Sequence, residues 1–257
     1  MNFKNGVSFI VTVYNKEKFI EKTLESIFIQ MDTHSQLIVV NDGSTDDSLK
    51  RIKKIVRNKK LNIRLITQKN SGPSIAINHA LKFVKYSFIK LVDGDDLIAP
   101  DSVKYMTSEM NRLNVDLLYG YWEWTDRLEG FKFKQNYMPA RIIQNALERF
   151  IIGGWGGSSN LMVRSQCLLD VGGCDENVFV QDFSIPLRIA GFHLKNKNFS
   201  KFSIAQSDKT VCVGPKFLKD RIMDNNGQTL YDLSMAKINF IEQHPLLEKR
   251  LLQKCKK

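Results

Sequence analysis

The sequence VSFIVTV, at Val7–Val13, is rich in β-branched residues and predicts a buried β-strand. Apolar residues at helical spacing follow it, and the same order recurs around strands at Leu37–Val40, Ile63–Thr67 and Phe88–Val92. Strands that alternate with helices in this way pair in parallel through right-handed crossovers. The predicted fold class is therefore α/β, with a mostly parallel central sheet flanked by helices.

In such sheets, ligands bind beyond the C-terminal ends of the strands. Four segments occupy that position: Thr12–Asn15, Asn41–Ser44, Gln68–Gly72 and Asp93–Asp96. We expect Asn15 to cap the helix that follows the first strand. For Asp42 the residues alone leave two interpretations open, a carboxylate that accepts from the N–H of a base or one that caps a helix.

Asp93-Gly94-Asp95-Asp96 places three carboxylates at the end of an apolar strand. Like charges so close together repel one another and raise each other's pKa, and a divalent cation relieves the repulsion. Oxygen ligands favour Mg²⁺ or Mn²⁺, which commonly share their coordination with substrate phosphates. The motif therefore predicts a metal site.

The first turn after a strand, Tyr14–Lys18, contains no glycine. A dinucleotide-binding turn needs glycines so that the backbone can approach a pyrophosphate, and a Walker A loop is absent as well. A bound nucleotide must then be held by side chains and a metal ion.

Composition limits the remaining classes. The chain has 257 residues and a net charge of +11, which suits phosphate-rich or anionic partners. No apolar run reaches the roughly 18–20 residues of a membrane helix, and no signal-peptide pattern is present, so we expect a cytoplasmic protein. The tail Lys249–Lys257 is interpreted either as a peripheral contact with the anionic inner face of the cell membrane or as a solvated end. Net charge alone does not predict a nucleic-acid partner.

Four scattered cysteines fit neither a zinc motif nor a disulfide framework, and we expect reduced structural thiols. They are Cys167, Cys174, Cys212 and Cys255.

Several motifs, in order, resemble the family 2 glycosyltransferases of the GT-A (Rossmann-like) fold. They are Val11–Asn15 (VTVYN), Val40–Ser44 (VNDGS), Asn70–Gly72 (NSG) with Asn78, and Leu91–Asp96 (LVDGDD) with Pro100. The similarity extends over roughly Gly6–Leu113 and resumes at Gly157–Gly191, which resembles the acceptor side of the family.

The resemblance implies a role for each matching residue. The implied nucleotide-binding residues are Thr12, Tyr14, Asn15, Asp42, Asn70, Gly72, Asp93 and Gly94. Asp95 is the implied metal ligand, with Asp93 beside it, and the cofactor is Mn²⁺ or Mg²⁺. Asp182 matches the catalytic base, which takes the proton of an acceptor hydroxyl.

Three residues are acceptor-site candidates: Trp155, which glycines flank, Gln181 and Arg188. Arg188 is interpreted as a partner of a phosphate or of Asp182, or as a structural ion pair. Trp122 and Trp124 are interpreted as stacking surfaces for a sugar or as ordinary packing. Gln181 stands where the family has glutamate.

Together these features predict an inverting hexosyl- or N-acetylhexosaminyltransferase. It would move a single sugar from a nucleotide-sugar, with UDP favoured, to a glycan or lipid-linked glycan such as lipopolysaccharide or capsule. Gln181, and Ile77 where arginine is common, motivate the alternative of a non-catalytic nucleotide-sugar or glycan-binding protein. A nucleotidyltransferase would carry a glycine- and lysine-rich loop after the first strand, which Asn15–Phe19 does not supply.

The predicted domain organisation follows the motifs. Residues 1–220 form the glycosyltransferase domain, with a nucleotide-sugar-binding half at 1–115 and an acceptor-side half at 116–220. Residues 221–257 are expected to form a helical C-terminal extension.

Overall fold

The fold is known from a computed structural model, which describes residues 2–134, 137–153, 157–195, 201–216, 226–244 and 247. The strands are Lys4–Val13 (β1), Ser35–Asp42 (β2), Ile63–Gln68 (β3), Tyr86–Asp93 (β4), Leu97–Ile98 (β5), Leu117–Thr125 (β6), Arg141–Ile142 (β7), Leu161–Arg164 (β8) and Ile204–Pro215 (β9). The helices are Ile20–Phe28 (α1), Ser48–Val56 (α2), Pro73–Leu81 (α3), Ser102–Leu113 (α4), Ala146–Gly153 (α5), Ser165–Asp170 (α6), Gln181–Lys195 (α7) and Asn226–Glu242 (α8).

The predicted α/β fold is confirmed, and its sheet is mixed. The described strands follow the order β3-β2-β1-β4-β8-β6-β9-β5, with β7 paired to β9. The four strands β3, β2, β1 and β4 pair in parallel, as the alternation of strands and helices predicts. Beyond β4 the sheet continues through antiparallel pairs on both sides of β8, and β6 then pairs in parallel with β9.

Both faces of the sheet are covered, which explains the continuous apolar run of β1. Phe9 and Val11 pack into the core on the face of α1, α2 and α4, and Ile10 packs into the core on the other face. A strand buried on both faces cannot alternate polar and apolar residues, so the run VSFIVTV is the expected sequence.

Helix α1 is stabilised by burial and carries no side-chain cap. Its residues Ile20, Leu24 and Ile27 are fully buried, and each such side chain contributes about 1.5–3 kcal/mol to the hydrophobic term. The helix begins after Phe19, which makes no capping hydrogen bond from its side chain. The expectation that Asn15 caps this helix is wrong, because its side chain is used by the neighbouring turn.

Helix α8 packs onto the same core as the rest of the chain. Ala236 and Phe240 on this helix are buried in the cluster that also contains residues of α3 and α7. A Cβ added at Gly191 of α7 would lie 2.2 Å from Cζ of Phe240, so the two helices meet at a glycine. The predicted C-terminal extension therefore contains a helix whose packing depends on α7.

Among the described helices, none combines the length and apolarity needed to cross a membrane. Cys167, Cys174 and Cys212 are buried free thiols, in agreement with the prediction, and Cys255 lies outside the described residues. The basic tail Lys249–Lys257 also lies outside them.

Candidate active site

The strand register brings the predicted site residues to one edge of the sheet. Thr12 of β1 is the Cα partner of Asp93 in β4, and Val13 is the partner of Asn41 in β2. Asp42 is in turn the partner of Gln68 in β3. Parallel strands that end together place the residues of their following turns side by side, as the sequence predicts.

Hydrogen bonds tie the first two turns of this edge together. The backbone N–H of Asn15 donates to Ser44 Oγ at 3.1 Å, and Thr45 N donates to Asn15 Oδ1 at 2.8 Å. The N–H of Lys16 donates to Ser48 Oγ at 2.7 Å. Asn15 adopts a left-handed φ of 52°, which asparagine tolerates better than most residues. Its predicted nucleotide contact must therefore be made while the side chain bridges two loops.

The buried carboxylate of Asp42 organises the loop after β3. Oδ1 accepts from Gln68 Nε2 and from Ser71 N, both at 2.9 Å, and Oδ2 accepts from Gly72 N at 2.9 Å. The helix-cap interpretation of Asp42 does not hold, because these partners belong to the turn before α3. A carboxylate has about four lone-pair sites, so three accepted bonds leave one for the N–H of a base.

Gly72 and Gly94 are required for different reasons, Gly72 for its backbone conformation and Gly94 for the close approach of another chain segment. Gly72 has a φ of 90°, a conformation that other residues rarely adopt, and it delivers its N–H to Asp42. A Cβ at Gly94 would lie 3.0 Å from the carbonyl oxygen of Thr12, to which Gly94 donates its own N–H. Tyr14 is 39% exposed directly after β1, in a position to meet a ligand at this edge.

Asp95 is paired with a cation of the chain itself. Lys16 Nζ lies 2.8 Å from Asp95 Oδ2, and the Asp95 side chain is nearly buried. Lys16 is absent from the predicted site residues, although it follows Asn15 directly in the turn that faces the carboxylates. A lysine in a turn opposite an acidic motif is the signal that identifies it.

Asp93 lies in the field of two other carboxylates. Burial, together with repulsion from Asp95 and Asp182, raises the pKa of Asp93 to about 7, against the opposing effects of Lys16 and Lys90. The backbone N–H of Asp93 donates to Ser159 Oγ at 2.8 Å, which fixes the end of β4 against the segment before β8. Asp93, Asp95 and Asp182 thus form one electrostatic unit.

The donor set fits a hard divalent cation that shares its coordination with a ligand. Within the described part of the chain, no group of three or more His, Cys, Asp or Glu residues is placed to hold a metal ion alone. Asp95 already takes a cationic partner in Lys16, and its neighbour Asp93 carries a raised pKa that a cation would lower. Mg²⁺ is usually held in this way, by one or two carboxylates plus substrate phosphates.

Asp182 lies in the first turn of α7, and backbone N–H groups hold its carboxylate. Its Oδ2 accepts the N–H of Gly157 at 2.7 Å, and Gly157 has a φ of 110°. Burial raises the pKa of Asp182, and the Gly157 N–H partly offsets this effect. A carboxylate with one oxygen fixed by the backbone and a raised pKa is suited to accept a proton with the other oxygen.

The acceptor candidates differ in their surroundings. Gln181 is buried and donates from Nε2 to Ser158 Oγ at 2.8 Å, so its side chain supports the loop that carries Gly157. Arg188 donates from Nε and Nη2 to the carbonyl of Val171, at 3.2 and 2.7 Å, at the end of α6. It does not pair with Asp182, and its described contacts are these structural hydrogen bonds; its contact with a phosphate stays a prediction. Trp155 lies outside the described residues.

A fully buried lysine was also missed by the sequence argument. Lys90 interrupts the apolar strand FIKLV and donates from Nζ to the carbonyls of Leu91 and Leu161, at 3.2 and 3.3 Å, and to that of Ser159. Burial lowers the pKa of Lys90 to about 8, and Asp96 and Asp93 act in the opposite direction. Lys90 fixes the 159–161 segment to β4, beneath the carboxylates.

The α/β sheet, with carboxylates at the ends of its parallel strands and no glycine in the turn Tyr14–Lys18, has the arrangement that the resemblance to GT-A glycosyltransferases predicts. A family model described as "Glycosyl transferase family 2" matches residues 8–165. The match covers more than half of the chain, and the chain belongs to this family.

Individual relatives agree with this assignment. The teichoic acid poly(glycerol phosphate) polymerase of Staphylococcus epidermidis is 38% identical over 108 residues, which cover 42% of this chain and 15% of that protein. Residues 1–349 of S. aureus TarS, solved in complex with UDP-GlcNAc, have a TM-score of 0.71 at 23% identity, covering 97% of this chain and 70% of that fragment. The mannosyltransferase PcManGT of Pyrobaculum calidifontis, solved with GDP-Man and Mn²⁺, has a TM-score of 0.66 at 17% identity, covering 93% and 65%. The two structural likenesses show the GT-A fold.

Proposed function

We propose that this chain is an inverting glycosyltransferase that moves one sugar from a nucleotide-sugar to a hydroxyl of a cell-surface glycan. The observation that carries the proposal is the shared field of Asp93, Asp95 and Asp182 at the C-terminal edge of the sheet. A nucleotide-binding role alone does not require a carboxylate from α7 near the carboxylates at the end of β4. Transfer does require one, because the acceptor hydroxyl must lose a proton.

Each residue then has a part in the reaction. The nucleoside lies along Thr12, Tyr14 and Asp42, and the diphosphate lies at Asp93 and Asp95. A divalent ion, Mn²⁺ or Mg²⁺, would be held by Asp95 with Asp93 and would supply Lewis-acid stabilisation of the leaving diphosphate.

Asp182 takes the proton of the acceptor hydroxyl as that oxygen attacks the anomeric carbon. The bond from the anomeric carbon to the diphosphate oxygen breaks, and the electron pair leaves with the nucleoside diphosphate. A single displacement from the opposite face inverts the anomeric configuration, as base-assisted attack does in inverting glycosidases.

The favoured donor is a UDP-sugar, and the favoured transferred group is a hexosyl or N-acetylhexosaminyl unit. The UDP-GlcNAc complex of TarS supports this choice. The S. epidermidis relative acts on teichoic acid, so teichoic acid joins lipopolysaccharide and capsule as a candidate acceptor. We infer that the acceptor is lipid-linked and that the enzyme works beside the anionic face of a membrane.

The test compares Asp182→Asn with wild type and with Asp208→Asn, a control at an exposed carboxylate that pairs with Arg141. Asparagine keeps an oxygen for the Gly157 N–H and loses the proton-accepting carboxylate. We expect UDP affinity to stay within twofold and transfer to fall about 10²–10⁴-fold, the usual range for a general base. Nucleotide affinity is measured by calorimetry with UDP, GDP and dTDP, each with and without Mn²⁺. Ordinary turnover by Asp182→Asn would show that the base has been misassigned, and metal-dependent UDP binding without turnover in wild type would favour the non-catalytic binding protein.

A further inference from the structure

Two tryptophans lie side by side at the end of β6. Trp122 and Trp124 are two residues apart on the strand, so both side chains point to the same face. Their ring centroids are 4.2 Å apart with planes inclined by 35°, and Trp124 is 43% exposed. Because β6 is antiparallel to β8 and β8 is antiparallel to β4, the end of β6 lies at the same sheet edge as Asp93.

The ring of Trp122 touches both catalytic segments. A Cβ at Gly157, whose N–H holds Asp182, would lie 2.9 Å from Trp122 Cε3. A Cβ at Gly214 would lie 2.9 Å from Trp122 Nε1 and 2.4 Å from Asp96 Oδ1. The indole of Trp122 therefore lies against Gly157, in the loop that holds the base, and against Gly214, which also adjoins Asp96 of the acidic motif. The partly exposed ring of Trp124 packs beside it.

The nucleotide uses other strands. Its predicted contacts lie at the C-terminal ends of β1, β2, β3 and β4, whereas β6 lies beyond β8 on the far side of β4. A flat indole surface on the Asp182 side is suited to the second substrate. The C–H face of a pyranose ring packs against an aromatic face, while its hydroxyls stay free for polar contacts.

We propose that Trp122 and Trp124 form the acceptor platform, a binding surface for a pyranose ring of the acceptor glycan. Trp124 supplies the exposed stacking face, and Trp122 sets its position relative to Asp182. This inference rests on the proposed function, because it assigns the second substrate of the same site.

The test uses pyranose oligosaccharides as probes, chitotetraose and maltotetraose, titrated in the presence of UDP and Mn²⁺. We expect Trp124→Ala to weaken binding of the better probe roughly tenfold and Trp124→Phe to retain most of it, because phenylalanine keeps an aromatic face. Tyr231→Ala, which removes an exposed aromatic ring from α8, is the control and should bind as wild type does. UDP affinity should be the same in all four proteins.

The outcomes separate the two proposals. If the wild-type protein binds UDP but neither oligosaccharide, or if Trp124→Ala binds the oligosaccharides as tightly as wild type does, the proposal of an acceptor platform is overturned. The proposal would also be overturned if Trp124→Ala lost as much affinity for poly(glycerol phosphate), which has no ring to stack, as for the oligosaccharides. Failure of wild type to bind any nucleotide would instead contradict the proposed function.

Charge distribution carries a second, independent inference. The segment Ser48–Lys90 contains twelve Lys or Arg residues and no Asp or Glu, which leaves 26 basic and 27 acidic residues in the rest of the chain. The twelve are Lys50, Arg51, Lys53, Lys54, Arg57, Lys59, Lys60, Arg64, Lys69, Lys82, Lys85 and Lys90. The net charge of the protein therefore originates in this one segment.

The exposed side of α2 is the centre of this charge. Lys50 pairs with Asp47 at 3.5 Å and Arg51 with Glu21 at 3.3 Å. For Lys53, Lys54 and Arg57, all exposed, the described residues provide no acidic partner within salt-bridge distance. We call Lys53, Lys54 and Arg57 the basic face of α2.

The position of the basic face favours a lipid surface over the glycan in the active site. Helix α2 starts after Asp42 at the ligand-binding edge and runs back toward the opposite edge, so its later turns lead away from the carboxylates. Near that end, Ile29 is 68% exposed and Lys59 Nζ lies 4.9 Å from the ring of Phe28. Cations beside an exposed isoleucine are typical of a surface that meets anionic lipid headgroups.

We propose that the basic face of α2 docks the protein on an anionic membrane surface. The test measures cosedimentation with phosphatidylcholine vesicles that contain 30% phosphatidylglycerol or none, at about 0.1 M salt. We expect binding to the anionic vesicles alone. The triple variant Lys53→Gln, Lys54→Gln and Arg57→Gln should lower the partition coefficient on the order of a hundredfold.

Glutamine keeps a similar helix propensity, so α2 should still form. The matched control, Lys104→Gln with Lys132→Gln and Lys134→Gln, removes three exposed charges elsewhere and should keep most of the binding. Equal binding to both vesicle types, or equal loss in the two triple variants, would overturn the proposal. Binding to free poly(glycerol phosphate) that the α2 variant loses, with no binding to vesicles, would assign the face to a polymer instead.

Discussion

Replacing Asp42 by asparagine tests whether one carboxylate shapes the nucleotide-binding loop. The carboxylate accepts three hydrogen bonds, from Gln68, Ser71 N and Gly72 N, in a buried position. Asparagine has a single oxygen, so in either orientation its NH₂ group faces at least one backbone N–H. One charge-assisted bond is lost, and a buried donor is left without an acceptor.

The magnitude follows from these contacts. A hydrogen bond to a charged group contributes about 1.5–3 kcal/mol, and an unsatisfied buried donor costs about 1–3 kcal/mol, with some relief by relaxation of the loop. We expect Asp42→Asn to lower the free energy of unfolding by about 2–4 kcal/mol. For a chain of this size that corresponds to a fall in Tm of roughly 5–15 °C.

Stability is measured by urea unfolding, with circular dichroism as the signal. UDP affinity is measured separately, by titrating the folded variant at low temperature. Asp47→Asn is the control, since Asp47 is exposed and makes only a 3.5 Å ion pair with Lys50. It should change stability by no more than about 0.5 kcal/mol. Unchanged stability of Asp42→Asn would refute the loop-organising role. Lost stability with unchanged UDP affinity would refute the contact between Asp42 and the base.

Three further predictions concern the metal site and the C-terminal helix. Because the pKa of Asp93 is raised to about 7, the folded protein binds more protons than the unfolded chain between roughly pH 4 and 7, and this carboxyl loses stabilising effect as pH rises through that window. Binding of Mn²⁺ with UDP should therefore weaken below pH 7, and it should release more protons at pH 6 than at pH 8. Calorimetry in buffers of different ionisation heat measures the proton release. Equal release at both pH values would contradict this prediction. Lys16→Met removes the ammonium that competes with a metal ion for Asp95. In an electron paramagnetic resonance titration, Mn²⁺ alone should therefore bind about three- to tenfold more tightly to the variant. Weaker binding would contradict the competition between Lys16 and the metal. Gly191→Ala places a Cβ against the ring of Phe240 and should lower the free energy of unfolding by about 1–3 kcal/mol. A second substitution, Phe240→Leu, should partly restore the stability. An unchanged thermal unfolding transition in Gly191→Ala would show that α8 does not depend on this contact.

The parallel half of the sheet could be predicted because its signals are local. The apolar runs of β1 and β4 and the helical spacing of α1 can be recognised from residues only a few positions apart. Strands that alternate with helices along the chain must pair in parallel. The second half combines the long strands β6 and β9 with the short strands β7 and β8, and the pairing of these strands depends on long-range contacts. Periodicity carries little information about strands of two to four residues, so the mixed character of the sheet became visible only in the folded chain.

Site prediction from sequence had the same limit. The motif around Asp93 identifies carboxylates at a strand end, and the resemblance to the family singles out Asp182 nearly ninety residues later. Sequence spacing does not tell that Lys16 pairs with Asp95 or that Arg188 turns to the carbonyl of Val171. A long side chain reaches several partners from one backbone position, so only packing selects among them.

By itself, the sequence determined the α/β class, the edge of the sheet where ligands bind, and the acidic residues gathered there. These follow from patterns of period two and 3.6 and from the covalent order of strand, turn and helix. Only the tertiary structure decided that Asp42 organises the loop ending at Gly72, that Gly157 holds Asp182, and that Trp122 lies against Gly157. Each of these contacts joins residues at least 25 positions apart, and their distances are set by how helices and strands pack, which no local pattern encodes.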